Sequence, residues 1–336
     1  MPGEHAVFSI TAPGSYRLTR NLMGTAGKSG IEIAASQITL DLSGFSLIGA
    51  AESEHGIIIT APCRGLRILN GSIRNWGFSG VAADLANSSR FESLDTEGNG
   101  LDGLNVGISG VVRTCTAANN GRDGIKTDAG CIVDRCTALR NGRLEEGGQG
   151  IDAGDAGYVT GCTAYANYGS GIYLGSGATA RHCSVQENRK IGIEAEPRAM
   201  IANCTVSRNR GDGIHAGQAG RIQSCTVSLN GGDGIEVSAA SLVIGNSCTL
   251  NGSPEQESAS ADDGAGVRAT GFANRIESNH LAMNRHGLVV SSDGNVIVGN
   301  SAVLNGIETP SDRDIAAGNA LQNEHQLPSG ESTNRD

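Results

Sequence analysis

Aromatic side chains are scarce in this chain: one Trp, five Phe and five Tyr among 336 residues. Aromatic rings supply much of the buried area of an ordinary core, so this interior must be built from small and branched aliphatic groups. Proline is rare at seven residues, while glycine reaches fifty without a collagen-like triplet. That combination points to many tight turns between short strands. No apolar run approaches the ~20 residues of a membrane-spanning helix. No cluster of Lys and Arg occurs, and the net charge is −10 with a pI of about 5.2, so binding to nucleic acid has no electrostatic footing. The opening MPGEHAVFSI lacks the charged and apolar regions of a secretory signal. The expectation is a cytoplasmic protein, or a secreted or cell-surface one whose leader has been removed. Oligomeric state leaves no trace in the sequence.

What is present is repetition. Cys204-Thr205-Val206-Ser207 returns as Cys225-Thr226-Val227-Ser228, and Asp212-Gly213-Ile214 as Asp233-Gly234-Ile235, a step of 21 residues each time. The Cys column runs Cys115, Cys136, Cys162, Cys183, Cys204, Cys225 and continues in register as Asn246, Asn279, Asn300. Two residues after it lies an apolar column, to which Cys248 belongs, and five after it an Asn column from Asn120 to Asn305. Twelve Gly-apolar pairs, from Gly30-Ile31 to Gly287-Leu288, imply about twelve coils. Each coil holds three short period-2 segments divided by Asn, Asp and Gly turns, a pattern of strands rather than helices.

Three short strands per coil, with coil stacked on coil, make an all-β fold: a single-stranded parallel β-helix. Residues one period apart then lie above one another at about 4.8 Å. Stacked Asn side chains bond up and down their ladder and tolerate the left-handed turn conformation, while Gly supplies positive φ at corners. The nine cysteines include no C-x-x-C pair, so they read as unpaired core thiols rather than a disulfide framework or a zinc site. Asp123, Asp212 and Asp233, each before a Gly, read as turn residues.

On the strength of segments such as NGGDGIEV and NRGDGIHA, and of the opening stretch ITAPGSYRLTRNLMGTAGKSGIEIAASQITLDLSGFSLIG, the chain resembles the right-handed parallel β-helix repeat proteins. That pectate lyase-like superfamily includes pectate lyases, polygalacturonases and alginate epimerases. The resemblance covers residues 8 to 307 and implies a right-handed solenoid that acts on a polysaccharide. The Asp-Pro-His motif of alginate epimerases is absent.

By this reading residues 1–29 form an N-terminal cap, with Phe8, Ile10, Tyr16, Leu18 and Leu22 covering the first coil. Residues 30–307 form the β-helix, and 308–336 a C-terminal cap and disordered tail, all as one domain. Two inserts, RLEEG after Asn141 and SPEQESASADD after Asn251, fall in the turn that leads into the Gly-apolar strand. Insertions in repeat proteins often collect on the binding side.

In that strand the apolar residue points inward, so the next points out. The middle of this outward column reads Lys126, Asp152, Tyr173, Glu194, His215, Glu236, Arg268, with Gly154, Gly175 and Gly217 beside it expected to leave the floor open. Tyr173, Glu194, His215 and Asp152 are the candidate catalytic residues. Lys126, Glu236 and Arg268 are candidates for holding a substrate, possible partners being acidic polysaccharides. Tyr and His with a cation suit proton removal beside a uronate carboxylate, by a lyase or an epimerase. Asp152 and Glu194, two coils apart, suit an inverting glycosidase instead. A Ca²⁺ between Glu194, Glu196 and Glu236 fits the oxygen preference of that ion. The alternative is a non-catalytic scaffold or glycan-binding surface, because outward strand faces in water are polar as a rule.

Overall fold

A computed structural model describes residues 5–143, 147–252 and 264–306, together with the strands Arg313–Ile315, Ala320–Gln322 and His325–Gln326. Among them there is no helix, and the strands pair in parallel, as the 21-residue period requires. The chain divides into two compact units, Met1–Arg189 and Lys190–Asp336. Each is a run of coils built mostly from three-residue strands.

The Gly-apolar strands form one column in each unit. The first unit contributes eight, from Ala6–Ile10 to Ile172–Leu174, and the second six, from Ile193–Ala195 to Arg313–Ile315. The solenoid therefore has about fourteen turns rather than twelve. The two extra strands are Ala6–Ile10 and Arg313–Ile315, neither of which carries a Gly-apolar pair. Register survives the first insert: Asn105 pairs with Lys126 at a 21-residue step, and Lys126 with Asp152 at 26. Extra residues enter at a turn and leave the strand in place.

Within a strand the burial pattern alternates inward, outward, inward, as in Ile125–Thr127 and Ile214–Ala216. Ile125, Ile151, Ile172, Ile193, Ile214 and Ile235 are all fully buried, and each contributes roughly 1.5–3 kcal/mol by leaving water. The glycine before them is required by crowding, not by positive φ. A Cβ on Gly213 would lie 2.2 Å from Val227 Cγ1 and 2.7 Å from Asn230 Nδ2.

The Asn column is a fully used amide ladder. The backbone N–H and Nδ2 of Asn120 both donate to Asn141 Oδ1, at 3.1 and 3.0 Å, and Nδ2 also donates to the Thr96 carbonyl. The same pattern runs through Asn209, Asn230 and Asn251 in the second unit. The left-handed conformation falls one residue earlier than the sequence suggested, on Asn119, Arg140, Ala166 and Glu187 in the first unit and on Arg208, Leu229 and Leu250 in the second. The reversal must finish before the Asn so that its amide points inward.

All nine cysteines are buried and none forms a disulfide. In their column Cys115 N–H donates to Cys136 Sγ at 3.5 Å and Cys136 N–H to Cys162 Sγ at 3.4 Å. Cys225 N–H makes the equivalent bond to Asn246 Oδ1 at 2.9 Å. A thiol and an amide thus do the same work at one register position. The Cys136 and Cys162 thiols are pushed up to about 12, chiefly by their hydrogen bonds to the preceding thiol, so they are not nucleophiles at neutral pH.

Candidate functional site

The outward column is real, and each unit carries part of it. In the first unit Lys126 pairs with Asp152 and Asp152 with Tyr173. An ammonium, a carboxyl and a phenol therefore stand on three successive rungs, all half-buried. Burial pushes the Asp152 carboxyl up to about 6; Asp123 adds to the rise and Lys126 opposes it. Asp102 is also raised, by burial and then by Asp123, with Arg122 Nε 3.8 Å from its Oδ1 pulling the other way.

In the second unit Glu194 pairs with His215, His215 with Glu236 and Glu236 with Arg268. His215 Nδ1 lies 3.6 Å from Asp212 Oδ2 and 3.8 Å from Glu236 Oε2, with the imidazole 38% exposed. Asp212 raises the imidazole pKa most; burial opposes it, and Glu236 and Glu194 add to the rise. Tyr173 belongs to the first unit, Glu194 and His215 to the second.

Arg268, expected to meet a substrate, is turned onto Asp233. Its Nε lies 2.5 Å from Asp233 Oδ2 and its side chain is 14% exposed. Asp233 Oδ1 also accepts the N–H groups of Gly264 and Ala265 at 2.9 and 2.6 Å. Burial pushes this carboxyl up to about 6 against the pull of Arg268.

Asp123, Asp212 and Asp233 do serve the turns: Asp123 Oδ1 accepts Gln149 N–H at 2.6 Å, and Asp212 Oδ1 accepts Asp233 N–H at 2.8 Å. Sequence reasoning missed that these acids also act on the outward row. The signal was there, since Asp212 stands three residues before His215 and Asp123 three before Lys126.

The glycines beside the row do not open a floor. A Cβ on Gly154 would meet the Asp128 carbonyl carbon at 2.7 Å, and one on Gly217 the Pro197 nitrogen at 2.9 Å. Close backbone approach between coils explains them. The acidic set that converges is also different from the one expected for Ca²⁺. Among the described residues, Asp212, His215 and Glu236 bring one ligand atom each to within 4.8 Å of one another, rather than Glu194, Glu196 and Glu236. Residues 144–146 of the first insert, all of 253–263 in the second, and the tail from 327 lie outside the described residues.

Comparison with known proteins agrees with this architecture. Residues 55–199 and 195–326 match the family described as the right-handed β-helix region. No curated protein matches the chain. Among solved structures, the periplasmic alginate epimerase AlgG is similar, with 13% identity and a TM-score of 0.54 over 90% of this chain and 77% of that one. The A-module of the Azotobacter vinelandii mannuronan C-5 epimerase AlgE6 aligns at 14% identity and a TM-score of 0.46, covering 98% of this chain and 92% of that one. At such identities the likeness is one of fold. With the family matched over most of its length, the chain belongs to the right-handed β-helix proteins.

Proposed function

We propose that this is a carbohydrate-active β-helix protein that binds a glycan along the outward face of the Gly-apolar strands and moves a proton at a uronate residue. The observation that carries this reading is the in-register series Lys126, Asp152, Tyr173, with the Asp152 carboxyl raised to about 6. A general base works best with its pKa near the operating pH, and a carboxyl at its ordinary value is a poor one.

In this reading the Lys126 ammonium pairs with the sugar carboxylate and stabilises the charge that builds there as the neighbouring C5–H bond breaks. The Asp152 carboxylate takes that proton. The Tyr173 hydroxyl then gives a proton either to C5 from the opposite face, which inverts the centre, or to the departing O4, whose C–O bond breaks as a C4=C5 double bond forms. The first outcome is epimerisation and the second is lyase cleavage. That AlgG, a protein of similar fold, is named an alginate epimerase supports looking for the first.

The test is a panel of polymannuronate, polygalacturonate and neutral glycans incubated with the protein in D₂O. Deuterium at C5 reports epimerisation, absorbance of unsaturated uronate reports cleavage, and reducing ends without unsaturation report hydrolysis. Asp152→Asn, Tyr173→Phe and Lys126→Met should each abolish or sharply reduce turnover while the fold stays intact. Turnover untouched by Asp152→Asn would end this assignment. The tie between Arg268 and Asp233 favours a second reading, in which the row's charges partner one another on a non-catalytic glycan-binding face. Binding without turnover across the panel would select it.

A further inference from the structure

His215 and the two carboxylates beside it, Asp212 and Glu236, sit at separations that suit neither a hydrogen bond nor mutual indifference. Nδ1 is 3.6 Å from Asp212 Oδ2 and 3.8 Å from Glu236 Oε2, beyond the roughly 2.7–3.2 Å of a real N–H···O bond. A tetrahedral ion with bonds of about 2.1 Å holds its ligand atoms about 3.4 Å apart. The two separations from His215 Nδ1, 3.6 and 3.8 Å, exceed that by a few tenths of an ångström, and the three ligand atoms all lie within 4.8 Å of one another. Small rotations of the three side chains would close the set around a small divalent cation.

We propose that Asp212, His215 and Glu236 bind one divalent transition-metal ion of the zinc, cobalt or manganese kind. One imidazole and two carboxylates suit such borderline ions, whereas Ca²⁺ seeks six to eight oxygens. The backbone makes the placement rigid. His215 and Glu236 pair on neighbouring rungs, and Asp212 is fixed at its turn because its Oδ1 accepts Asp233 N–H at 2.8 Å. The ligands leave part of the coordination sphere open, since the side chains of His215, Glu236 and Asp212 are 38, 25 and 16% exposed. Three protein ligands with an open position is the pattern of sites that also take an exogenous oxygen donor. This site lies in the second unit and does not depend on the chemistry proposed for Asp152.

The experiment is titration of untagged, metal-stripped protein with Zn²⁺, Co²⁺, Mn²⁺ and Ca²⁺ by calorimetry, with Co²⁺ also followed by its visible absorption. The expected result is one ion per chain, a Co²⁺ spectrum without thiolate charge-transfer bands, and Ca²⁺ the weakest of the four. His215→Ala should weaken Zn²⁺ by more than about 100-fold, since even outer-shell changes cost 10- to 100-fold. Asp212→Asn keeps an oxygen for the Asp233 N–H, so it preserves the turn while removing the charged ligand, and should also lose the ion. Glu194→Gln, on the next rung but outside the set, should bind as the parent does. The proposal is overturned by absence of one-to-one binding, by Zn²⁺ affinity that survives His215→Ala, or by a site that prefers Ca²⁺.

Discussion

Removing the Lys126 ammonium should make Asp152 a weaker acid by a measurable amount. The two residues pair in register, which sets their backbones one rung, roughly 4.8 Å, apart, and that spacing serves as the scale for their charges. At that distance unit charges attract by about 0.9 kcal/mol in bulk water and by about 3.5 kcal/mol at an effective dielectric of about 20. At about 1.36 kcal/mol per unit, the expected rise is between about 0.6 and about 2.5 pKa units. Lys126→Met should therefore move Asp152 upward from about 6, and Asp123→Asn should move it downward, because Asp123 raises it. Carbon-13 titration of aspartate-labelled protein reads this directly, with the resonance assigned by its loss in Asp152→Asn. If Asp152 is the base, kcat/KM rises with pH through about 6 in the parent, later in Lys126→Met and earlier in Asp123→Asn. The same shift has a stability consequence. A carboxyl raised in the folded state holds its proton more tightly than in the unfolded chain, so its contribution is undiminished below the ordinary aspartate value of 3.8 and is lost as pH climbs through about 6. Asp152→Asn should match the parent at pH ~4 and exceed it at pH ~7.5 by up to about 3 kcal/mol. An Asp152 that titrates near 3.8, or one unmoved by Lys126→Met, would refute the reasoning.

Arg268→Ala leaves the Asp233 carboxylate, 1% exposed, without its cation, and should cost about 3–5 kcal/mol in urea unfolding; adding Asp233→Asn should recover much of it. Asn230→Ala strips the acceptor from Asn209 N–H and Nδ2, and should cost about 3–5 kcal/mol by the same measurement. Cys136→Asn reproduces the amide found at this register in Asn246 and should fall within about 1 kcal/mol of the parent, with Cys136→Ala clearly worse. Arg140→Gly relieves an exposed left-handed residue at φ 54° and should raise the melting temperature by a few degrees, worth about 0.5–1 kcal/mol.

Most of the scaffold was legible because stacking converts period into height. Ile125, Ile151 and Ile172 had to share a column for any of them to be buried, and a one-residue slip would have turned each to solvent. The inserts did not obscure this, since they enter at turns. What the period could not reveal was rotamer direction. It placed Arg268 on the outward row but not its swing onto Asp233. It marked Gly154 and Gly217 as small without showing that the neighbouring backbone, not a ligand, fills the space. The two end rungs escaped for a different reason. Ala6–Ile10 and Arg313–Ile315 pair in register with the column but carry no Gly-apolar pair, the one mark by which the sequence counts coils.

The turn acids show where architecture stops and chemistry begins. In the Asn ladder an earlier coil donates its N–H to a later side chain, as Asn209 does to Asn230. In the acid ladder the direction reverses, and Asp233 N–H of the later coil donates to Asp212 Oδ1 of the earlier one. The turn therefore asks for one acceptor oxygen per coil, and an uncharged side chain provides it equally well, as Gln149 Oε1 does for Ser170 N–H at 2.7 Å. A second, charged oxygen is surplus to the fold. At Asp212 that surplus oxygen faces His215, and at Asp233 it faces Arg268. Desolvating a charged carboxylate is costly, and the turn could be closed without one. Within each unit the rungs that keep an aspartate there include ones where a basic side chain uses the charge: Arg122 beside Asp102 in the first, and His215 beside Asp212 and Arg268 beside Asp233 in the second.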